Sequence, residues 1–130
     1  MIRSARLLIF SLLLTSGLIQ PVLAADPSPV GRWEVTTGES RFDVIYCGDG
    51  KELCAVLVWL RPDARTDENL ALLHKYVVNK ARREGDTTWI GEVLFEGRSY
   101  NGTITLISKN RMSVHSCMGM LCDTFELARR

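Results

Sequence analysis

Two cysteine pairs, each bracketing a glycine-bearing turn between alternating apolar runs, constrain this chain more than any other feature. Cys47 and Cys54 frame Cys-Gly-Asp-Gly-Lys-Glu-Leu-Cys, and Cys117 and Cys122 frame Cys-Met-Gly-Met-Leu-Cys. That is the pattern of two β-hairpins stapled near their tips. Four cysteines allow three connectivities. A two-residue turn at Gly50-Lys51 sets Cys47 directly opposite Cys54. The same turn at Gly119-Met120 sets Cys117 opposite Cys122. Both put Gly first, as a type II′ turn requires. Directly opposed residues lie within disulfide range, so the pairing 47–54 and 117–122 is expected. A competing turn at Asp49-Gly50 makes Cys47 and Cys54 diagonal, too far apart to bond without distortion. Crossed bonds between the hairpins are then the alternative. The spacing within each pair is wider than four-cysteine zinc sites use, which argues against a metal. Neither pair is Cys-x-x-Cys, which argues against a redox-active pair.

Disulfides belong to oxidising compartments, and the N-terminus agrees. Arg3 and Arg6 precede an apolar run from Leu7 to Ile19, and Val22-Leu23-Ala24-Ala25 offers small residues for cleavage. This is the three-part pattern of a secretory signal peptide over residues 1–25. The run is shorter than the ~20 apolar residues of a membrane span, and no Cys at the cleavage site suggests a lipid anchor. No membrane span is expected after cleavage, and the location is periplasmic or secreted. The mature chain is about 105 residues, enough for a single domain over 31–130 after a short linker at 26–30. Loss of Arg3 and Arg6 takes the formal charge from +1 to about −1, so no electrostatic footprint for nucleic acid remains. Lys80-Ala81-Arg82-Arg83 is the basic cluster of the mature chain and reads as a solvated strand end.

Alternating runs fill most of the remainder. Gly31–Thr36, Arg41–Cys47, Leu53–Leu60, Thr88–Phe95, Ser99–Ile107, Arg111–Cys117 and Leu121–Ala128 all read as strands. Phe42, Val44 and Tyr46 share a face with Ala55, Leu57 and Trp59. Met112, Val114, Leu121, Phe125 and Leu127 point inward, and His115 points outward opposite Thr124. Asp67 is placed to cap a short helical turn through Ala71 or Leu72. Tyr76-Val77-Val78 favours a further strand over a longer helix. The expected fold is all-β: a small antiparallel barrel of about eight strands, with at most one short helix in the central loop. Closure removes the exposed sheet edges.

Gly31 before Trp33, then Tyr46-Cys47-Gly48, Leu53-Cys54, Val58-Trp59-Leu60, Trp89-x-Gly91, the Tyr100 strand and the Cys117–Cys122 segment form an ordered set. In that order they resemble the exported bacterial family called domain of unknown function 2147. The resemblance covers nearly all of the mature chain. It departs from the family where Asn69 is followed by Leu70 rather than Pro, where the stretch before Tyr100 is short, and where Phe125 replaces a Trp. It implies a lipocalin- or streptavidin-like barrel and no established activity.

Chemistry-bearing motifs are sparse. Gly-x-Ser-x-Gly, His-Glu-x-x-His and phosphate-loop patterns are missing, so the common hydrolase and nucleotide classes lose support. The two histidines are His74 and His115. His115 lies near Thr124 and Glu126 and could serve as a general base, although an exposed cross-strand neighbour is the simpler reading. No catalytic residue, metal or cofactor is assigned. Asp49-Gly50 is a turn rather than a calcium loop, and Asn101-Gly102-Thr103 lies inside a strand, where glycosylation is not expected. Trp33, Tyr46, Trp59, Trp89 and Tyr100 are the candidate ligand-binding residues. They either fill the core, the simpler reading, or line a cavity at a barrel mouth. The function expected is a non-catalytic binding module for a small apolar ligand or an envelope protein. The alternatives are a packed structural protein acting through protein contacts and a weak hydrolase using His115.

Overall fold

The structure, a computed structural model, describes residues 16–21 and 27–130. The export leader expected over 1–25 lies outside the described residues apart from 16–21, which carry no regular structure. Among the described residues, eight antiparallel strands close into one barrel in sequence order. They are β1 (Gly31–Val35), β2 (Ser40–Cys47), β3 (Glu52–Leu60), β4 (Tyr76–Arg83), β5 (Thr88–Phe95), β6 (Arg98–Ser108), β7 (Arg111–Met118) and β8 (Leu121–Arg129). β1 pairs β8 through Trp33↔Arg129, Glu34↔Ala128 and Val35↔Leu127, which closes the sheet. A 3-10 turn at Pro62–Ala64 and helix α1 (Asp67–Leu72) occupy the long connection between β3 and β4. The helix cap is Thr66, one residue before the Asp67 that the sequence suggests. Its hydroxyl accepts the Asn69 N–H at 3.2 Å, one of the donors a helix start leaves unpaired.

The up-and-down order sorts the connections onto two ends. The β2–β3, β4–β5 and β6–β7 turns share one end with the segment 27–30. The β1–β2, β5–β6 and β7–β8 turns share the other with α1. The core between them holds Trp33, Val44, Leu53, Leu57, Val77, Val78, Trp89, Ile104, Leu106, Met112 and Leu127, all buried. Apart from Val77, which sits beside Val78 at a register shift in β4, these are the inward members of the alternating runs, as period-two side-chain placement requires.

The structure pairs Cys47 with Cys54 and Cys117 with Cys122. The second hairpin has the register its sequence predicts, Cys117↔Cys122 and Met118↔Leu121, with Gly119 at φ 61° in the turn. The first hairpin does not. Cys47 opposes Glu52 and Ile45 opposes Cys54, which is the Asp49-Gly50 register rather than the Gly50-Lys51 one. The Asp49 carboxylate decides it by accepting the Lys51 and Glu52 N–H groups at 2.8 and 2.9 Å. Gly50 N–H closes the turn onto Cys47 O at 2.9 Å. The two cysteines are therefore diagonal, and they bond nonetheless at a Cα separation of 5.9 Å. Strand twist shortens one diagonal of an antiparallel pair, which an untwisted ladder does not reveal.

A two-residue slip keeps the faces, so Phe42 still shares a face with Leu57 and Val44 with Ala55. A bulge does not. The ladder shifts between Arg41 and Phe42, so Trp59 opposes Arg41 instead of joining Leu57. The extra residue turns Trp59 to the outer wall, where Arg41 lies 4.1 Å from its ring centre, and returns Leu60 to the core. A second irregularity lies in β4, where Lys80 has φ 54° and Ala81 becomes fully buried. Gly91 on β5 makes room for it. A Cβ at Gly91 would sit 2.9 Å from Ala81 Cα, so this close strand contact requires glycine. Leu121 departs from its expected inward position: it is 75% exposed at the β7–β8 tip, beyond the reach of the core.

Candidate functional site

The two ends of the barrel are built differently. At the first, Trp33 and Trp89 are fully buried. Trp33 Nε1 donates to Pro29 O at 2.8 Å, and Trp89 Nε1 donates to Lys51 O at 3.0 Å. Each indole thus buries its ring while its N–H still finds an acceptor. The segment 27–30, a linker by sequence, packs beneath: Pro29 is buried, and Arg129 donates to Val30 O and Ser28 O. Arg129 also lies 4.4 Å from the Trp33 ring centre. This end is plugged.

Above the plug lies a cavity of about 90 Å3. Val44, Ala55, Val78, Ile104 and Met112 supply its walls, and Phe42, Phe95 and Phe125 supply its aromatic surface. Ser40 is its single polar lining residue. A second void of about 60 Å3 shares Ser40, Phe42, Val77, Leu94 and Phe95 with it and runs under Leu60 and Leu72 toward α1. Glu39, Asn69 and Glu96 stand at that outer part. Asn69 Nδ2 donates to Ala64 O at 2.9 Å, so α1 is tied to the 3-10 turn beneath it. Phe95 and Phe125 meet across the rim with ring centres 4.9 Å apart. The arrangement is a narrow apolar slot with polar groups confined to its mouth.

None of the five aromatic residues singled out from sequence lines this slot. Trp33 and Trp89 form the plug. Trp59 is on the outer wall. Tyr46 opposes Leu53 at the plugged end and is 38% exposed. Tyr100 opposes Val93 on β6 and is half-buried outside the lining. The phenylalanines carry the slot instead. All three are legible in the sequence as inward members of alternating runs.

Shifted titrating groups lie outside the slot. The Arg41 hydrogen bond, with Arg130 nearby, holds Glu34 below the usual carboxylate range on the outer wall. The Arg32 guanidinium does the same for Asp43, and the Arg61 guanidinium for Asp63. Backbone N–H groups of Lys51 and Glu52 depress Asp49. The basic cluster on β4 shares its groove with Asp49, Glu52, Glu84 and Asp86, so both signs mix there. His115 lies on the outer face, its Nδ1 2.8 Å from Thr124 Oγ1 and its Nε2 3.5 Å from Cys117 Sγ. The hydroxyl a histidine base needs is present, but the pair faces away from the slot. His74 has φ 62° and donates its N–H to Leu57 O at 2.7 Å, a connector before β4. His115, Cys117 and Cys122 bring their ligand atoms within 4.8 Å of one another. Both sulfurs are in a disulfide, so the set does not suit a metal as it stands. No described helix is long and apolar enough to cross a membrane.

The model of an uncharacterized protein family conserved in bacteria, domain of unknown function 2147, matches residues 31–129. The chain belongs to this family. The match spans all eight strands, so domain of unknown function 2147 corresponds here to the whole barrel. No curated protein and no solved structure shows significant similarity to the chain.

Proposed function

We propose that this barrel is an extracytoplasmic, non-catalytic binding module that admits one narrow apolar chain, of the acyl type, through its open end. The observation that carries this reading is the apolar slot, plugged below and polar only at its mouth. Its size sets the ligand class. About 90 Å3 is well under the ~300–1,000 Å3 of pockets for drug-sized ligands. It is nearer the ~150 Å3 of a dry cavity that takes benzene. A linear chain can enter end-on and leave its polar head among Glu39, Asn69 and Glu96, whereas a fused ring system cannot. The driving force is burial of apolar surface, at ~25 cal/mol per Å2. Two disulfides support a location in an oxidising compartment, and the leader expected from sequence supports the periplasm.

A second reading has its own observation. Met118, Met120 and Leu121 are exposed beside the mouth, at 42%, 100% and 75%, and Phe95 is exposed on the same rim. An apolar tip of this kind suits contact with an envelope protein. Native mass spectrometry with uncharged primary n-alkyl alcohols of increasing length separates the two. A saturable one-to-one adduct is expected for the oxidised protein, lost at least tenfold in Val114→Phe, which fills the slot without touching the tip. Absence of an adduct at every chain length would overturn the binding reading and leave the contact surface as the functional feature.

A further inference from the structure

The two staples differ in a way that carries chemistry. In the first, Cys54 is 2% exposed and its sulfur accepts the Lys80 N–H at 3.2 Å. In the second, Cys122 is exposed and Cys117 is half-buried. His115 stands two residues before Cys117 on the same outward face of β7, with Nε2 3.5 Å from Cys117 Sγ. Its Nδ1 meets Thr124 Oγ1 across the strand pair. When the Thr124 hydroxyl donates to Nδ1, the ring proton sits on Nε2 and faces the sulfur. A disulfide sulfur is a weak acceptor and gains little from such a donor. A departing thiolate gains much more. The spacing Cys-x4-Cys hides this, because the histidine rather than the cysteine spacing supplies the activation.

We propose that Cys117–Cys122 is a thiol–disulfide exchange site for a protein dithiol, with the His115 Nε2–H hydrogen-bonding the Cys117 thiolate as it leaves. The exposed Met118, Met120 and Leu121 give the partner an apolar surface around the bond. The partner's thiolate attacks Cys122 Sγ, the more open sulfur, along the S–S axis. A new S–S bond forms to Cys122, and the Cys117–Cys122 bond breaks. The electron pair leaves on Cys117 Sγ, which accepts a hydrogen bond from His115 Nε2–H and takes its proton from water. The partner's second thiol, as thiolate, then attacks the partner's own sulfur and releases Cys122, which is protonated from water. The partner ends as a disulfide, Cys117 and Cys122 end as thiols, and His115 keeps its ring proton throughout. Cys47–Cys54 reacts more slowly, since its Cys54 sulfur is buried and its Cys47 sulfur is half-buried, so neither is as open as Cys122.

The test uses the folded, oxidised mature chain, reduced thioredoxin as the protein dithiol and dithiothreitol as a small one. Alkylation followed by peptide mass spectrometry reads each staple separately. Cys117–Cys122 is expected to open at least tenfold faster than Cys47–Cys54. His115→Ala should slow that opening about tenfold with either reductant, the equivalent of one hydrogen bond to a charged leaving group. A purely structural role for His115 would loosen the hairpin and speed the reaction, so the sign is diagnostic. Thr124→Val keeps the imidazole, removes its orienting hydroxyl and should slow opening about threefold. It also serves if His115→Ala does not fold. Thioredoxin lacking its second cysteine should be trapped on Cys122. Equal opening rates for the two staples, an unslowed or faster His115→Ala, or trapping on Cys117 would each overturn the proposal.

Discussion

The plugged and open ends of this barrel use the same strands and opposite chemistry. At the plugged end, two buried tryptophans, a buried proline and Arg129 leave no space, and each indole N–H is satisfied by a backbone carbonyl. At the open end, three phenylalanines with no polar atom surround a void, and methionine and leucine project into solvent. Tryptophan suits the closing role because its N–H fixes it against the chain it covers. Phenylalanine leaves nothing unsatisfied when a ligand comes or goes. The staples follow the same division: one is half sunk beside the plug, the other stands clear beside the mouth. Stability is concentrated at one end, and adaptable surface at the other.

The largest expected effects test that division directly. Trp89→Ala or Trp33→Ala should cost about 3–5 kcal/mol in urea unfolding, the range for truncating a large buried aromatic. Phe125→Ala, half-buried and already facing a void, should cost clearly less than either. Equal losses at the two ends would break the comparison. Next comes Gly91→Ala. Its Cβ would meet Ala81 backbone at 2.9 Å, not a movable side-chain end, so about 1–3 kcal/mol of overpacking is expected. The paired substitution Ala81→Gly with Gly91→Ala should recover part of that loss.

Much of this fold is legible in the sequence because period two is a strong signal when one face is buried. The strands, their faces and the second hairpin's register follow from it. What escapes is the irregular. The Asp49 side chain chose between two glycine turns that the pattern alone leaves close, and the added residue near Trp59 turned one aromatic outward. Lys80 at positive φ leaves no mark that a pattern can show. The slot escapes for a related reason. Sequence draws attention to tryptophan and tyrosine as ligand-binding aromatics, yet the indoles here satisfy their N–H groups by plugging an end. A void is defined by where volume is missing, and no residue type records that.

A smaller effect should mark the open end. Thr66→Ala removes the α1 cap and should cost about 1 kcal/mol. Hydrogen exchange should rise in Asp67–Leu72 while the amides of β1 and β5 around Trp33 and Trp89 stay protected. A rise spread over the whole barrel would mean that α1 is part of the scaffold rather than a separable cover.

The smallest expected effect compares two exposed carboxylates at opposite ends. Asp49 at the plugged end is depressed by the backbone N–H groups of Lys51 and Glu52. Asp63 at the open end is depressed by the Arg61 guanidinium. In both, the folded value lies below the unfolded one of about 4, so each stabilises the fold above that pH. The contribution is lost as pH falls through the folded value. Salt separates them, because it screens an exposed ion pair and leaves backbone hydrogen bonds in place. In high salt, Asp49→Asn should still flatten the acid limb of the urea midpoint, since Asn keeps the acceptor oxygen and loses only the titration. Asp63→Asn should flatten that limb in low salt alone. The reverse pattern would mean that the first turn is held by charge, and that its choice of register is not the work of the Asp49 hydrogen bonds.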